Sequence, residues 1–210
     1  VTEKEPMINE TPDSYKIYIN GLDYSGGNRD FNLIATINTK THKIVLTSIP
    51  RDFYIDIPAY GGRKDSLTAL GTVDPEITKE ALEQLFNTKI DYTLNLYTTS
   101  LVKVVDTIGG VEFCSDRSFY TYHDMTLGSY ADKGKKLYVK KGCNTYNGLE
   151  ALAIARERIN IQGGDRGRIE NCRKIFINVF KSLVSTTTLT NYSEVLDSFE
   201  GLYTTNINKK

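Results

Sequence analysis

Cysteine is scarce in this chain: Cys114, Cys143 and Cys172 are all it has. None forms a C-x-x-C pair, so zinc-ribbon and thioredoxin-like chemistry have no support. Histidine is rarer still. His42 and His123 have no motif around them and read as surface residues, and no H-E-x-x-H exists to hold zinc. Walker A and G-x-G-x-x-G are also missing, which removes the two commonest routes to nucleotide binding. Net charge is absent too, with 26 basic residues against 26 acidic ones. A general nucleic-acid binder is thereby excluded, and any anion site must be local. No run approaches the roughly 20 apolar residues needed to cross a bilayer. No signal peptide is visible, but Val1 is not a natural start, so the expectation is a piece trimmed from a longer protein. Repeats and low-complexity tracts are lacking. The 210 residues read as one domain able to bury a core of its own.

What the chain does have is arginine in one place. The stretch ALAIARERINIQGGDRGRIENCRK, from Ala151 to Lys174, holds Arg156, Arg158, Arg166, Arg168 and Arg173, five of the nine arginines. Arginine is favoured over lysine where a planar fork must grip phosphate or carboxylate through two hydrogen bonds. Arg156 and Arg158 point to one side only if the chain there is extended, because on a helix they diverge. Asp165 is expected as the N-cap of a new helix, whose unpaired N–H groups make a ready anion site. A salt-bridged helix pair, with Glu157, Asp165 and Glu170 as partners, accounts for the same residues. Both readings stand at this point.

Residues 1–14 are polar and aperiodic and read as a flexible arm or tether ahead of a domain at 15–205. The first strand is expected at Tyr15–Asn20, then a glycine-rich loop carrying Asp23, Arg29 and Asp30. Phe31–Asn38 and Lys43–Pro50, joined by a short polar turn, predict a hairpin in the same sheet. Pro50 cannot continue a central strand, which sends Arg51 out at its end. A loop with Gly61 and Gly62 follows. Asp74-Pro75 signals a helix start, with Ile77, Ala81, Leu82 and Leu85 as the apolar stripe. After the strand KIDYTLNLY comes an amphipathic helix over Thr98–Thr107, and VEFC is expected to resume the sheet. Ser115–Lys141 reads as loops with a short strand at KKLYVKK. Helices follow at Asn147–Ala155 and from Asp165 to Leu183, the latter burying Ile169, Phe176, Val179, Phe180 and Leu183. A last helix is capped by Asn191 or Ser193 and runs through Tyr203. Strands alternating with helices predict an α/β domain, α-β-α layered, with a central mixed sheet covered on both faces. In such folds ligands bind at the carboxyl ends of strands, where Asp23, Asp30 and Arg51 all fall.

Cys114 ends the strand-like run GGVEFC and Cys143 precedes a helix. If they pair, the closed loop of about 29 residues contributes roughly 3–4 kcal/mol in the chain-entropy treatment and implies an oxidising compartment. Free thiols remain the other reading. Asp23 and Asp30 are either turn residues or two hard carboxylates, which suit Mg²⁺ sharing its shell with phosphate oxygens. A metal and arginines together would neutralise a pyrophosphate and stabilise charge on its leaving group.

The segments YINGLDYSGGNRDFNLIATIN, KIVLTSIPRDFYI, KIDYTLNLYTTSLVKVVDTIGGVEF and NGLEALAIARERINIQGGDRGR resemble the LytR-CpsA-Psr family of cell-wall enzymes, over roughly Tyr15 to Leu183. The combination of SIPRD with ARER and GGDRGR carries the resemblance. It implies an extracytoplasmic α-β-α domain, tethered by one N-terminal transmembrane helix to a Gram-positive-type cell membrane. The implied reaction moves a phospho-linked glycopolymer (wall teichoic acid or capsular polysaccharide) from a polyprenyl-pyrophosphate carrier onto peptidoglycan, with Mg²⁺ or Mn²⁺. No nucleic acid is involved. Position by position, Asp23 and Asp30 take the metal-linked places, and Arg51, Arg156, Arg158 and Arg168 the phosphate-gripping ones. Asp165 matches an acidic place, as base or orienter, so that Arg51, Asp165 and Arg168 form the expected catalytic set. The implied compartment makes a Cys114–Cys143 disulfide the expectation.

The chain departs from the family pattern twice. Where members commonly read K-D-K-L-T-H-A it has Lys64-Asp65-Ser66-Leu67-Thr68-Ala69-Leu70, with Lys64 or Arg63 left to reach the pyrophosphate. Where they commonly have glutamine it has Cys172, on the same helix side as Arg168. These changes leave a second function open, a diverged polyprenyl-phosphate-binding module with little or no transfer. A wall-anchored adhesive domain is a third. The apolar stripes of the helices at 74–86 and 98–108 could line a groove for a lipid tail, but are equally explained as core.

Overall fold

Strand β1 (Ser14–Leu22) buries Tyr18, Ile19 and Asn20 in succession, and β2 (Arg29–Asn38) does the same with Leu33, Ile34 and Ala35. Successive strand side chains point to opposite faces, so consecutive burial means that both faces of the sheet are covered. A computed structural model of the protein describes residues 13–22, 27–125, 135–183, 201 and 203–207. The arm at residues 1–12, Asp23 and the helix expected from Asn191 or Ser193 lie outside the described residues.

The central sheet is completed by β3 (Lys43–Ser48), β6 (Tyr92–Tyr97) and β11 (Tyr203–Thr205), in the order β11-β6-β1-β2-β3. β1 runs parallel to β6 and antiparallel to β2, which makes the sheet mixed. The expected β2–β3 hairpin forms in register from Leu33 opposite Ser48 to Asn38 opposite Lys43. Between β3 and β6 lie a short hairpin, β4 (Tyr54–Ile57) and β5 (Arg63–Ser66), and helix α1 (Pro75–Phe86). Gly61 and Gly62 close the hairpin at φ +67° and +81°, a backbone region costly for other residues. Asp74 caps α1 by accepting from the Glu76 N–H at 2.9 Å, with Pro75 at the first position. The segment read as a loop before α1 is therefore partly strand; its pattern is too short for periodicity to reveal.

On one face Tyr18 and Ile34 pack with Ile55, Ile57, Leu67, Ala81 and Leu82 beneath α1. On the other, Ile19, Leu33 and Ala35 meet Phe176 of α4 (Asp165–Leu183). A third cluster joins α2 (Thr98–Thr107), α3 (Gly148–Arg156) and α4 to two ribbons. One ribbon pairs β7 (Val111–Ser115) with β10 (Gly142–Tyr146), the other β8 (Phe119–Asp124) with β9 (Lys136–Val139). VEFC thus does not resume the central sheet. It pairs only with β10, since Val111 and Phe113 find their apolar partners on α3 and α4 rather than over the sheet. Cys114 and Cys143 sit directly opposite each other in that ribbon and are joined as a disulfide.

Two stripes also differ in phase. Leu85 of α1 and Phe180 of α4 are exposed; Val179 is buried as expected, and with it α4 buries Arg168, Asn171 and Ile175. The buried side of α4 starts with polar residues, which hydrophobic patterning counts as solvent-facing. At the other end of the chain, Tyr203 belongs to edge strand β11 rather than to a helix.

Candidate anion-binding site

β2 starts, and β1, β3 and β6 end, along one edge of the sheet, so the residues just outside these ends are neighbours. Asp30 lies at the start of β2. Arg51 lies in the turn after β3, closed by the Phe53 N–H donating to the Pro50 carbonyl at 3.1 Å. Arg51 Nη1 donates to Asp30 Oδ1 at 2.7 Å, and its Nε lies 3.7 Å from Asp165 Oδ1. Arg168 Nε donates to the same Asp165 oxygen at 2.8 Å, and its Nη1 to the Asp30 carbonyl at 3.1 Å. Two arginines and two aspartates thus interlock across β2, the β3 turn and the first turn of α4.

Asp165 is the first residue of α4, one position later than an N-cap, and its carboxylate is taken by arginine side chains. The preceding glycines do the capping: the Gly163 carbonyl accepts from the Arg166 N–H and the Gly164 carbonyl from the Arg168 N–H. Both sit at positive φ, +86° and +56°, so GGD is a turn that only glycine adopts without strain. Burial would raise the Asp165 carboxyl. The Arg168 hydrogen bond and the charges of Arg168, Arg51 and Arg158 outweigh it and hold the group below its ordinary value. For Arg168, burial works against the charge, and Asp165 and its other acidic neighbours more than restore it.

The ARER stretch is extended where it needs to be. α3 starts on a capping box between Asn147 and Glu150 and ends at Arg156; Glu157 has extended torsions. Glu157 is completely buried, with half-buried Arg156 before it and exposed Arg158 after it. Its carboxylate accepts from the backbone N–H groups of Tyr122, Ile159 (2.7 Å) and Asn160 (2.8 Å). For Glu157 the ion-pair alternative does not hold: among the described residues it makes no ion pair, and it instead anchors the way Arg156 and Arg158 leave α3. A carboxylate gathering N–H groups two and three residues ahead has no hydrophobic period to announce it. The ion-pair alternative holds elsewhere, because Glu170 binds Arg173 at 2.6 Å one turn away.

Cys172 lies where its spacing from Arg168 places it. Its thiol donates to the Ala155 carbonyl at 3.2 Å, tying the second turn of α4 to the end of α3. Burial pushes the thiol up to about 11; Arg168 counteracts this, and Asp30 and Asp165 reinforce it. Lys64 is set apart from the cluster: it is exposed on β5 and pairs with Asp56 of β4 at 3.6 Å. The rest of that departing segment comes closer, since the Thr68 N–H donates to the Arg51 carbonyl at 2.8 Å and exposed Ala69 follows.

Two donors in the cluster stand out. Among the described residues, Arg168 Nη2 and Arg51 Nε are buried and have no hydrogen-bond partner. A buried guanidinium N–H left unpaired costs free energy that an anion would recover. Asp30 also fits a hard cation in kind: Arg51 occupies Oδ1, and among the described residues Oδ2 carries no hydrogen bond. Elsewhere among those residues, metal-capable groups gather only at Glu112, Cys114 and Cys143, where the disulfide removes both thiolates.

The fold is an α/β domain whose mixed sheet carries interlocked arginines and carboxylates along one edge, an arrangement whose buried donors could receive an anion. The chain matches the LytR_cpsA_psr family over residues 2–210 and belongs to that family. It is 27% identical over 208 residues to TagU of Bacillus subtilis, named a polyisoprenyl-teichoic acid–peptidoglycan teichoic acid transferase, covering 98% of this chain and 63% of the relative. It is 30% identical to LcpB of Corynebacterium glutamicum, a probable cell wall biosynthesis protein, over 81% of this chain and 38% of the relative. The TagU of Enterococcus faecalis is spanned over only 52% of its length. In structure it matches protein gbs0355 of Streptococcus agalactiae with a TM-score of 0.81 at 25% identity, covering 94% of this chain and 70% of that one. It matches TagT bound to LIIa-WTA with a TM-score of 0.74 at 25% identity, covering 96% and 73%.

Proposed function

We propose that this domain transfers a glycopolymer from a polyprenyl-pyrophosphate carrier to peptidoglycan at the outer face of a Gram-positive-type membrane. The observation that carries the reading is a pair of buried donors with no hydrogen-bond partner among the described residues, Arg168 Nη2 and Arg51 Nε, either side of Asp165, the carboxylates of Asp52 and Asp165 standing 3.7 Å from Arg51 Nε. Family membership and relatives named as teichoic acid transferases support the substrate class. The Cys114–Cys143 disulfide supports an oxidising compartment. No helix among the described residues is long and apolar enough to cross a membrane, so an anchor would lie outside them.

In the transfer, an acceptor hydroxyl oxygen bonds to the glycan-side phosphorus, and the bond from that phosphorus to the bridging oxygen breaks. Polyprenyl phosphate leaves with the electron pair, and the proton of the acceptor hydroxyl passes to the departing phosphate through water. Arg51 and Arg168 would hold the bridging and leaving oxygens, with Arg156 and Arg158 on the flanking phosphate. Asp30, with Asp23 from outside the described residues, would hold Mg²⁺ or Mn²⁺, which when bound supplies further charge neutralisation. An acid held below its ordinary pKa is a weak base. Asp165 is therefore assigned to orienting Arg168 and Arg51, not to taking the proton.

A binding module with little or no transfer is the second reading, and Cys172 favours it. Its thiol is protonated and committed to Ala155, so it offers the phosphates no donor. Incubation with Mg²⁺ and a geranyl-type pyrophosphate separates the two. Phosphate release supports transfer, binding without turnover supports the module, and no binding overturns both. Arg156→Ala or Arg158→Ala is expected to weaken that binding, and unchanged affinity removes the residue from the site.

A further inference from the structure

Glu157 is fully buried between two of the arginines assigned to the phosphates, yet its carboxylate is spent on backbone. Oε1 accepts from the N–H groups of Ile159 and Asn160, two and three residues ahead. Oε2 accepts from the Tyr122 N–H of β8. One side chain thus folds the segment after α3 back on itself and fastens it to a separate ribbon.

That ribbon is a firm support. Thr121, Leu137 and Val139 are buried, the Leu137 N–H donates to Thr121 Oγ1 at 3.0 Å, and Leu137 and Val139 pack in one cluster with α3. Asn160 is held there twice more: its amide donates to the Tyr120 carbonyl at 3.0 Å, and its own carbonyl accepts from Arg117 Nη2 at 3.2 Å. On its other side the segment meets the anion site, since a Cβ on Gly164 would stand 3.9 Å from the Arg158 carbonyl oxygen, one residue before Asp165. Arginine side chains have large rotamer freedom, so a grip in which two of them meet one phosphate depends on the backbone that launches them.

The geometry points to Glu157 as a positioning residue that sets a preference for a two-phosphate ligand over a one-phosphate ligand. The assignment rests on the proposed function, in which Arg51 and Arg168 hold one phosphate and Arg156 and Arg158 the other. Arg51 and Arg168 are fixed by Asp30 and Asp165, so their hold on a lone phosphate does not pass through Glu157. Arg156 and Arg158 leave the chain on either side of it, so binding of the second phosphate does. Such a division favours the pyrophosphate substrate over the monophosphate product and helps the product to leave.

Isothermal titration of the domain in Mg²⁺ buffer, with a geranyl-type pyrophosphate and with the corresponding monophosphate, tests this. The unaltered domain is expected to prefer the pyrophosphate. Glu157→Ala should weaken the pyrophosphate about tenfold and leave the monophosphate within about twofold. A residue that only stabilised the fold would change both ligands alike. Glu157→Gln keeps the volume but has one acceptor oxygen for donors on two sides, so it carries the test if Glu157→Ala does not fold, with the same selective loss expected. Adding Arg158→Ala to Glu157→Gln should cost less than the product of the two separate losses, because both act on the same phosphate. A ratio of the two affinities unchanged in Glu157→Gln overturns the assignment, as does an equal loss for both ligands or full additivity with Arg158→Ala. If the unaltered domain binds neither ligand, the proposed function falls and the assignment with it. If it binds both without preference, the assignment falls alone.

Discussion

Two arginines are buried in this molecule, and they are treated in opposite ways. Arg29, at the start of β2, is 1% exposed, and every arm of its guanidinium is used. Nε donates to the Leu70 carbonyl at 2.8 Å, Nη1 to Asn20 Oδ1 at 2.7 Å and Nη2 to the Val73 carbonyl at 2.6 Å. Its acceptors are neutral, and burial outweighs the opposing influence of Tyr18 and Asp74 and moves its pKa below the ordinary arginine value. Arg168 is 6% exposed, yet among the described residues its Nη2 has no hydrogen-bond partner, and it has a carboxylate beside it. Arg29 has each of its three nitrogens bonded to the fold. Arg168 has a buried donor left over among the described residues, as the proposed phosphate grip requires.

The sharpest way to break the contrast is to remove the satisfied one. Arg29→Met leaves the Leu70 and Val73 carbonyls and Asn20 unpaired under the loop before α1, and disturbs the Asn20–Asn95 amide contact of 2.5 Å that links β1 to β6. The expected cost is about 3–5 kcal/mol in urea unfolding. A loss under about 1 kcal/mol would place Arg29 among surface residues in energetic terms.

Arg168→Ala should do the reverse. Stability changes less, because Asp165 keeps Arg51 as a neighbour. Affinity for a geranyl-type pyrophosphate is expected to fall about 100-fold, near 2.7 kcal/mol. Arg168→Lys keeps the charge but not the fork, and should recover only part of the loss. Full recovery would mean that charge alone, without the two-point grip, binds the phosphate.

The same contrast separates what the sequence disclosed from what it hid. Arg51, Arg156, Arg158 and Arg168 could be singled out because arginines at such density and spacing are unusual, and because SIPRD and GGD stand beside strand and helix ends. The central hairpin and helix α2 were legible because their apolar periods are regular. Arg29 and Glu157 were not legible. Each is a polar residue serving the interior, and patterning assigns polar residues to solvent. The same cause shifted the buried face of α4, which begins on Arg168 and Asn171. Strands at VEFC and KKLYVKK were legible as β7 and β9, but their pairing with β10 and β8 escaped because which sheet a short strand joins is a tertiary matter.

The finest test of the comparison is electrostatic. The guanidinium of Arg29 hydrogen-bonds to neutral groups, whereas Arg168 has the Asp165 carboxylate in direct contact. In the native state Asp165 titrates below its ordinary value of about 3.9. As pH falls, the unfolded chain takes up that proton first. The stability Asp165 contributes is therefore complete above the ordinary carboxylate range and is lost as pH drops through its lower native pKa. Urea midpoints measured from pH 6 to pH 2 should decline with a steeper slope below about pH 4 in the unaltered protein than in Asp165→Asn. Asp165 is about one-third exposed, so solvent screens the effect, and it should be the smallest of the three. Excess phosphate in the buffer should shrink it further if the anion competes with Asp165 for Arg168 and Arg51. An identical slope in the two proteins would mean that Asp165 holds Arg168 in place through geometry alone.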